Sequence, residues 1–173
     1  MTAIQGTRLA EMRLDEVVAT SAQQGHASFY VVLDGELQDR QLPILIGETE
    51  AIALSASLTR RLFARPMSPQ FAAGLVHALG ARVGQVRIDR LVPVRGGTAY
   101  GATVHVEGPS GAGTADARPS DALNLAALVQ APIFVAPEVL ADAAVRMEGD
   151  SPEAVNLRQA LTCEPMIIQW PEQ

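Results

Sequence analysis

Asp116-Ala117-Arg118-Pro119-Ser120-Asp121-Ala122-Leu123-Asn124-Leu125-Ala126-Ala127-Leu128 reads as a strand running directly into a helix. Pro119 suits a first helical turn, where a missing N–H removes no intrahelical hydrogen bond. Ala122, Leu125 and Leu128, with Val129 beside it, recur at helical spacing, so the segment has one buried face. The junction gathers two carboxylates, a guanidinium and a hydroxyl. First-turn N–H groups with Arg118 beside them make an anion site. The same residues also serve purely structural ends. Asp121 stabilises any helix N-terminus, and Arg118 with Asp116 is a ready ion pair.

Upstream of this junction the pattern is mainly that of strands. Phe29-Tyr30-Val31-Val32-Leu33 is rich in aromatic and β-branched residues, and Asp34-Gly35 follows as a turn signal. The partner strand is Gln41-Leu42-Pro43-Ile44-Leu45-Ile46, which Pro43 demotes to an edge or to its first residues. Gly47-Glu48-Thr49-Glu50 opens a helix whose core stripe is Ala51, Leu54, Leu58 and Leu62, ending at Arg65-Pro66 with Arg60, Arg61 and Arg65 in its last turns. Ser68-Pro69 starts another, with Phe71, Leu75, Val76 and Leu79 inward and Gly80 closing it. Residues 83–92 and 98–107 alternate as strands around Gly96-Gly97. The glycine-rich run 108–113 turns the chain back toward Asp116. Downstream, Ile133-Phe134-Val135 is a buried strand and Pro137 opens a further helical turn. Strands and helices are mixed without regular βαβ alternation. This predicts an α+β fold, with a mixed, mainly antiparallel sheet and three to five helices packed against it in a single compact domain. That domain is expected to span residues 1–146. Residues 147–173 would follow as an extension, a short helix and an apolar tail.

Composition narrows the class. At 173 residues and 48% apolar, the chain supports one domain with a substantial core. No apolar run approaches the roughly 20 residues of a bilayer span, and the first residues lack a signal pattern. Cys163 is the only cysteine, which excludes an internal disulfide and a cysteine-based zinc site, and the expected location is the cytoplasm. All 13 basic residues are arginine, so a Schiff base and a P-loop lysine are excluded. Net charge is −6, but residues 60–95 hold seven arginines against Asp89 alone, a segment charge of +6 that leaves −12 elsewhere. Such asymmetry fits a local phosphate-binding surface, and equally fits arginines paired with the acidic remainder. The motifs G-x-x-x-x-G-K-[ST], H-E-x-x-H and G-x-S-x-G are absent. His26, His77 and His105 lack ligand spacing, and the last two read as structural imidazoles.

Blocks in register along the chain resemble a known family. Leu42-Pro43-Ile44-Leu45-Ile46-Gly47-Glu48-Thr49-Glu50-Ala51-Ile52-Ala53 is similar to the L-P-I-x-I-G-x-x-E-A-x-A block of the bifunctional nuclease domain family. Arg65-Pro66, Leu79-Gly80, Gly97-Thr98-Ala99-Tyr100, the Asp116 to Ala122 stretch, Pro132-Ile133-Phe134-Val135 and Val139-Leu140 follow in the family's order. The resemblance covers roughly residues 9–145 and implies nuclease activity on RNA and DNA, as in plant members. The family's characteristic positions map onto Glu50, Arg65, Asp116, Arg118, Ser120 and Asp121. Two departures stand out. Members read R-P-x-T-H-D where this chain has Arg65-Pro66-Met67-Ser68-Pro69-Gln70, and G-T-F-Y where it has Gly97-Thr98-Ala99-Tyr100. The missing His-Asp pair implies reduced or altered activity if either residue was a base or metal ligand.

Under the nuclease reading, Glu50, Asp116 and Asp121 bind a divalent cation or activate water. Arg118 stabilises the phosphorane with the helix N-terminus at Ser120. Asp116 and Asp121 would be the metal ligands, and an all-oxygen set favours Mg²⁺ or Mn²⁺. Arg60, Arg61 and Arg65 are the candidate RNA- or DNA-binding cations. Glu50 and Asp121 are expected to face one cleft. The competing reading is a non-catalytic oligomeric binding or scaffold protein, in which the same block fixes a helix start and a subunit interface. Residues 29–33, 42–46 and 166–170 offer more apolar surface than one small core needs, which predicts a homo-oligomer, a dimer first.

Overall fold

Two antiparallel meanders lie edge to edge in one sheet. The computed structural model describes residues 9–19, 29–35, 40–61, 63–95, 97–143 and 145–146. His26 and the expected extension with Cys163, residues 147–173, fall outside them. The first meander is β1 (Ala10–Ala19), β2 (Phe29–Gly35) and β3 (Arg40–Ile46). Helices α1 (Glu48–Leu58) and α2 (Ser68–Ala78) lead to the second, β4 (Arg82–Val94), β5 (Gly97–Gly108) and β6 (Gly111–Ala117). Helix α3 (Pro119–Val129), the short β7 (Ile133–Val135), α4 (Pro137–Ala143) and β8 (Val145–Arg146) complete the described chain. The sheet order is β6-β5-β4-β7-β1-β2-β3-β8. β7 joins the meanders, antiparallel to β1 and parallel to β4, while the other pairs are antiparallel. The expected α+β class, mixed sheet and helix number hold.

One face of this sheet carries the core. Leu42, Ile44 and Ile46 are buried while Leu45 between them is 63% exposed, the two-residue period of a strand covered on one side. Val86, Ile88, Val104, Ile133 and Val135 continue the buried face, and α1, α3 and α4 close over it. Residues 29–35 are an interior strand between β1 and β3, so they offer no edge. Beyond Arg40 and Gln41, which pair with β8, the outer side of β3 has no partner among the described residues. That is where a strand tolerates Pro43, whose ring removes a ladder donor. The glycine-rich run is shorter as a turn than its composition suggests. Gly108 pairs with Gly111 around Pro109 and Ser110, and Gly113 already belongs to β6.

Helix α1 stops earlier than its periodicity predicts. The Ser57 and Thr59 hydroxyls bond back to the Ala53 and Ser55 carbonyls at 2.9 and 2.8 Å. Arg60 takes a left-handed φ of 54°. The Arg60 and Arg61 N–H groups close on Ser57 and Ala56 carbonyls, a Schellman termination. Arg60, Arg61 and Arg65 therefore lie beyond the helix rather than in its last turns. α2 also differs from expectation. Its packed side is Ala72, Ala73 and Val76, while Phe71, Leu75 and Leu79 are 60%, 49% and 75% exposed. The segment is apolar nearly all round, so periodicity alone could not choose the inner face, and the smaller side chains fit against α3.

α3 ends on Gln130 with φ 57°, ψ 37°. A left-handed residue with a Cβ carries a strain of about 1–2 kcal/mol that glycine avoids. Gln130→Gly is expected to stabilise the fold by about 1 kcal/mol, raising the melting temperature by about 2–4 °C for a chain of this size, read by circular dichroism.

Candidate functional site

Small residues decide where the site forms. α1 buries Ala51, Ala53, Leu54 and Ala56, and α3 buries Ala122, Leu123, Asn124 and Ala126, so the two helices lie close side by side. Both begin at the same end. The buried Asn124 side chain donates from Nδ2 to the Glu50 carbonyl at 3.2 Å and the Ser120 carbonyl at 2.9 Å, tying the two first turns together. Two positive dipole ends therefore converge, and carboxylates collect there.

Arg118, the N-cap residue of α3, is the hub. Its Nε donates to Asp121 Oδ2 at 2.8 Å, and one terminal nitrogen, Nη2, donates to Asp121 Oδ1 at 3.0 Å and Glu50 Oε1 at 2.9 Å. Glu50 and Asp121 thus meet on one guanidinium, no farther apart than those two bonds span, although Glu50 does not line the pocket that Asp121 lines. These bonds, Asp121 first and Glu50 next, push the Arg118 pKa still higher than an ordinary guanidinium's. The side chain stays 66% exposed, and its second terminal nitrogen makes no hydrogen bond among the described residues. Gly47 leaves room for this geometry. A Cβ there would stand 2.3 Å from Glu50 Oε2 and drive the carboxylate off Arg118.

Arg118 and Asp121 line a pocket of about 670 Å³ with Arg90, Asp116, Tyr100 and Gly101. Asp116 pairs here with Arg90 of β4, not with Arg118 as the sequence suggested. Arg90 also donates to the Ala102 carbonyl at 2.7 Å. Burial, then the negative charge of Asp142, raises the Tyr100 phenol above its usual pKa. Ser120 is buried and does not line the pocket. Arg60 sits at the far end of α1, in a separate cleft of about 930 Å³ lined also by Arg13 and Gln130. Arg61 and Arg65 are exposed just beyond it. With a rise of about 1.5 Å per residue, Arg60 and Arg61, just past the end of α1, stand about a helix length from Glu50. Pro69 and Gln70, at the positions of the family's His-Asp pair, form the first turn of α2 and do not line the Arg118 pocket.

Arg90 is the residue that sequence reading missed. It was one arginine among seven in a basic segment, and only the pairing of β4, β5 and β6 sets it beside Asp116. Gly101 in the strand β5 was the available signal, since an interior glycine marks close approach by another group.

Among the described residues no three His, Cys, Asp or Glu side chains are grouped to hold a metal ion. Glu50, Asp116 and Asp121 are each bonded to a guanidinium. This arrangement does not offer the shared set of free oxygens that Mg²⁺ or Mn²⁺ takes.

His105, on β5, lies away from this pocket, and its Nε2 is buried without a partner among the described residues. Burial first, then Arg87, lowers its pKa, with Asp89 opposing. The unfolded chain therefore takes up a proton, near pH 6.5, that the folded chain resists. The resulting stabilisation is complete above about pH 6.5 and is lost as pH falls toward the lower folded value. Melting temperature is expected to drop between pH 7.5 and 5.5, and to drop less in His105→Gln.

No helix among the described residues is long and apolar enough to cross a membrane. Comparison with known proteins agrees with the sequence blocks. Uncharacterized proteins of two Mycobacterium tuberculosis strains, CDC 1551 / Oshkosh and H37Rv, are 34% identical over 115 residues, 66% of this chain and 66% of each relative's length. The family model of the bifunctional nuclease domain matches residues 31–148. The chain belongs to the bifunctional nuclease domain family.

Proposed function

We propose that the Arg118 pocket takes a phosphodiester of RNA or DNA, and that the protein is a nuclease of reduced activity acting in the cytoplasm. The observation that carries this reading is Arg118 itself. It is an exposed guanidinium at the meeting point of two helix N-termini, oriented by carboxylates from both helices, with one nitrogen left to donate. A guanidinium so held presents its planar fork to non-bridging phosphate oxygens without first having to be ordered. As the phosphate takes up the Arg118 donors, Asp121 or Glu50 is released beside the phosphorus and accepts the proton of an attacking water. Arg118 then stabilises the charge that develops on the phosphorane, which collapses by breaking one ester P–O bond, the departing sugar oxygen taking the proton held by that carboxyl group. Pro69 and Gln70 supply neither the imidazole nor the carboxylate of the family's pair, and they do not line this pocket, so proton transfer falls to the carboxylates bonded to Arg118 and slow cleavage is expected.

Fluorescence anisotropy with single-stranded RNA and DNA oligonucleotides, followed by cleavage assays in Mg²⁺, Mn²⁺ and EDTA, tests the reading. The expected result is salt-sensitive binding with slow cleavage. Asp121→Asn should bind at least as tightly, because a competitor for Arg118 is removed, and cleave more slowly. Absence of binding at low salt would overturn the proposal. A second reading, a non-catalytic homo-oligomer of the same family, is favoured by the bare Phe71, Leu75 and Leu79 face of α2. The two readings are compatible in binding and differ in cleavage.

A further inference from the structure

We infer that Arg90 is a second substrate-binding arginine, donating to the same bound phosphodiester strand from β4 in the pocket that Arg118 also lines. The inference rests on the phosphodiester reading of the pocket and adds to it a residue on a different element. Three features hold Arg90 in place independently of one another. A β-bulge between Ile88 and Arg90 sets two residues of β4, Asp89 and Arg90, against the single Gly101 of β5, and bulges redirect side chains next to functional sites. Gly101 supplies the room: a Cβ there would lie 2.8 Å from Arg90 Nε and 3.1 Å from its Nη2. Arg90 Nη2 carries both anchoring bonds, to the Ala102 carbonyl and to Asp116.

The anchoring leaves a specific part of the group unspent. Arg90 Nη1 makes no hydrogen bond among the described residues, and the same is true of Arg118, which is also anchored through Nη2 and Nε. Both side chains line one pocket, Arg90 44% and Arg118 66% exposed. A purely structural arginine in a β-sheet needs neither a glycine opposite nor a donor edge left over. Two oriented guanidiniums on one pocket, each with its Nη1 amino group left to donate, match the oxygens of a phosphodiester backbone, where directed planar donors are favoured over a point charge.

The test is the salt dependence of binding to a single-stranded DNA oligonucleotide by the intact protein, compared across Arg90→Gln, Arg90→Lys, Arg118→Gln and Gly101→Ala. Arg90→Gln is expected to weaken binding about ten-fold or more and to reduce the slope of log affinity against log salt by about one. Arg90→Lys should restore the slope but not the full affinity, because the charge returns without the fork. Gly101→Ala should lose affinity with no change in net charge, by displacing the guanidinium. Wild-type affinity and slope in Arg90→Gln, with Arg118→Gln impaired, would overturn the role of Arg90 and leave the pocket reading standing. No binding by the wild-type protein would overturn the pocket reading instead. If Arg90→Gln does not fold, Gly101→Ala decides, and unchanged affinity there overturns the inference.

Discussion

Arg118→Gln is expected to cut affinity for single-stranded RNA and DNA by ten-fold or more while leaving the melting temperature within about 2 °C of wild type. The two halves of that result come from different magnitudes. Arg118 is well exposed, and its ion pairs with Glu50 and Asp121 reach solvent. Exposed pairs contribute about 0–1 kcal/mol each to stability, and screening lowers this further. A charge-assisted hydrogen bond to a phosphate, made by a donor already oriented, contributes about 1.5–3 kcal/mol. Loss of one phosphate contact should also flatten the salt dependence by about one in slope. Were Arg118 only a brace between α1 and α3, the order would reverse, with stability falling and binding indifferent. Differential scanning calorimetry and anisotropy on the same samples separate the two. Asn124→Ala supplies the contrast. It removes a buried donor shared by the Glu50 and Ser120 carbonyls, and should cost about 1–3 kcal/mol in stability whatever the substrate does.

The residues explain why some of this was legible beforehand. Pro119 and Asp121 are local signals, and α3 begins where they put it. Gly47 and Ser68-Pro69 mark the starts of α1 and α2 equally well, because such signals act within a few residues of chain, although Met67 rather than Ser68 is the N-cap of α2 and no side chain caps it. The Glu50–Arg118–Asp121 cluster was half legible. Two carboxylates in first turns pointed to one cleft, but the ion pair assigned from sequence joined Arg118 to Asp116, its near neighbour in the chain. The structure gives Asp116 to Arg90 instead, across 26 residues and three strands. No sequence spacing encodes that contact, because sheet register decides it. The helix boundary at Leu58 was missed for a related reason. Ser57, Thr59 and a left-handed Arg60 end the helix through hydrogen bonds, while the apolar period continues past it. α2 failed differently. Its composition gave two possible inner faces, and the choice was made by the fit of Ala72, Ala73 and Val76 against its neighbours.

That choice motivates the second large effect. Leu75→Glu is expected to convert a dimer of this chain into a monomer of about 18.3 kDa in light scattering at micromolar concentration, with its melting transition retained. Phe71, Leu75 and Leu79 follow one another at four-residue spacing on the side of α2 that nothing described covers. Gly74 lies among them, and a Cβ added there meets nothing within 4 Å. Within one protomer this glycine is a pure loss, since alanine in a helix interior is better by about 1 kcal/mol. Close approach of a second helix supplies the missing reason, because only glycine leaves the backbone bare. α2 contains no aspartate, glutamate, lysine or arginine, so two copies of the face meet about a two-fold axis without like-charge repulsion. Gly74→Ala then separates the alternatives by sign. In a protein that stays monomeric it should stabilise by about 1 kcal/mol. In a dimer packed through α2 it should weaken association, since the added methyl stands where the partner helix must lie. A wild-type species already at the monomer mass, together with a stabilised Gly74→Ala, would remove the interface and leave Phe71, Leu75 and Leu79 as exposed apolar surface.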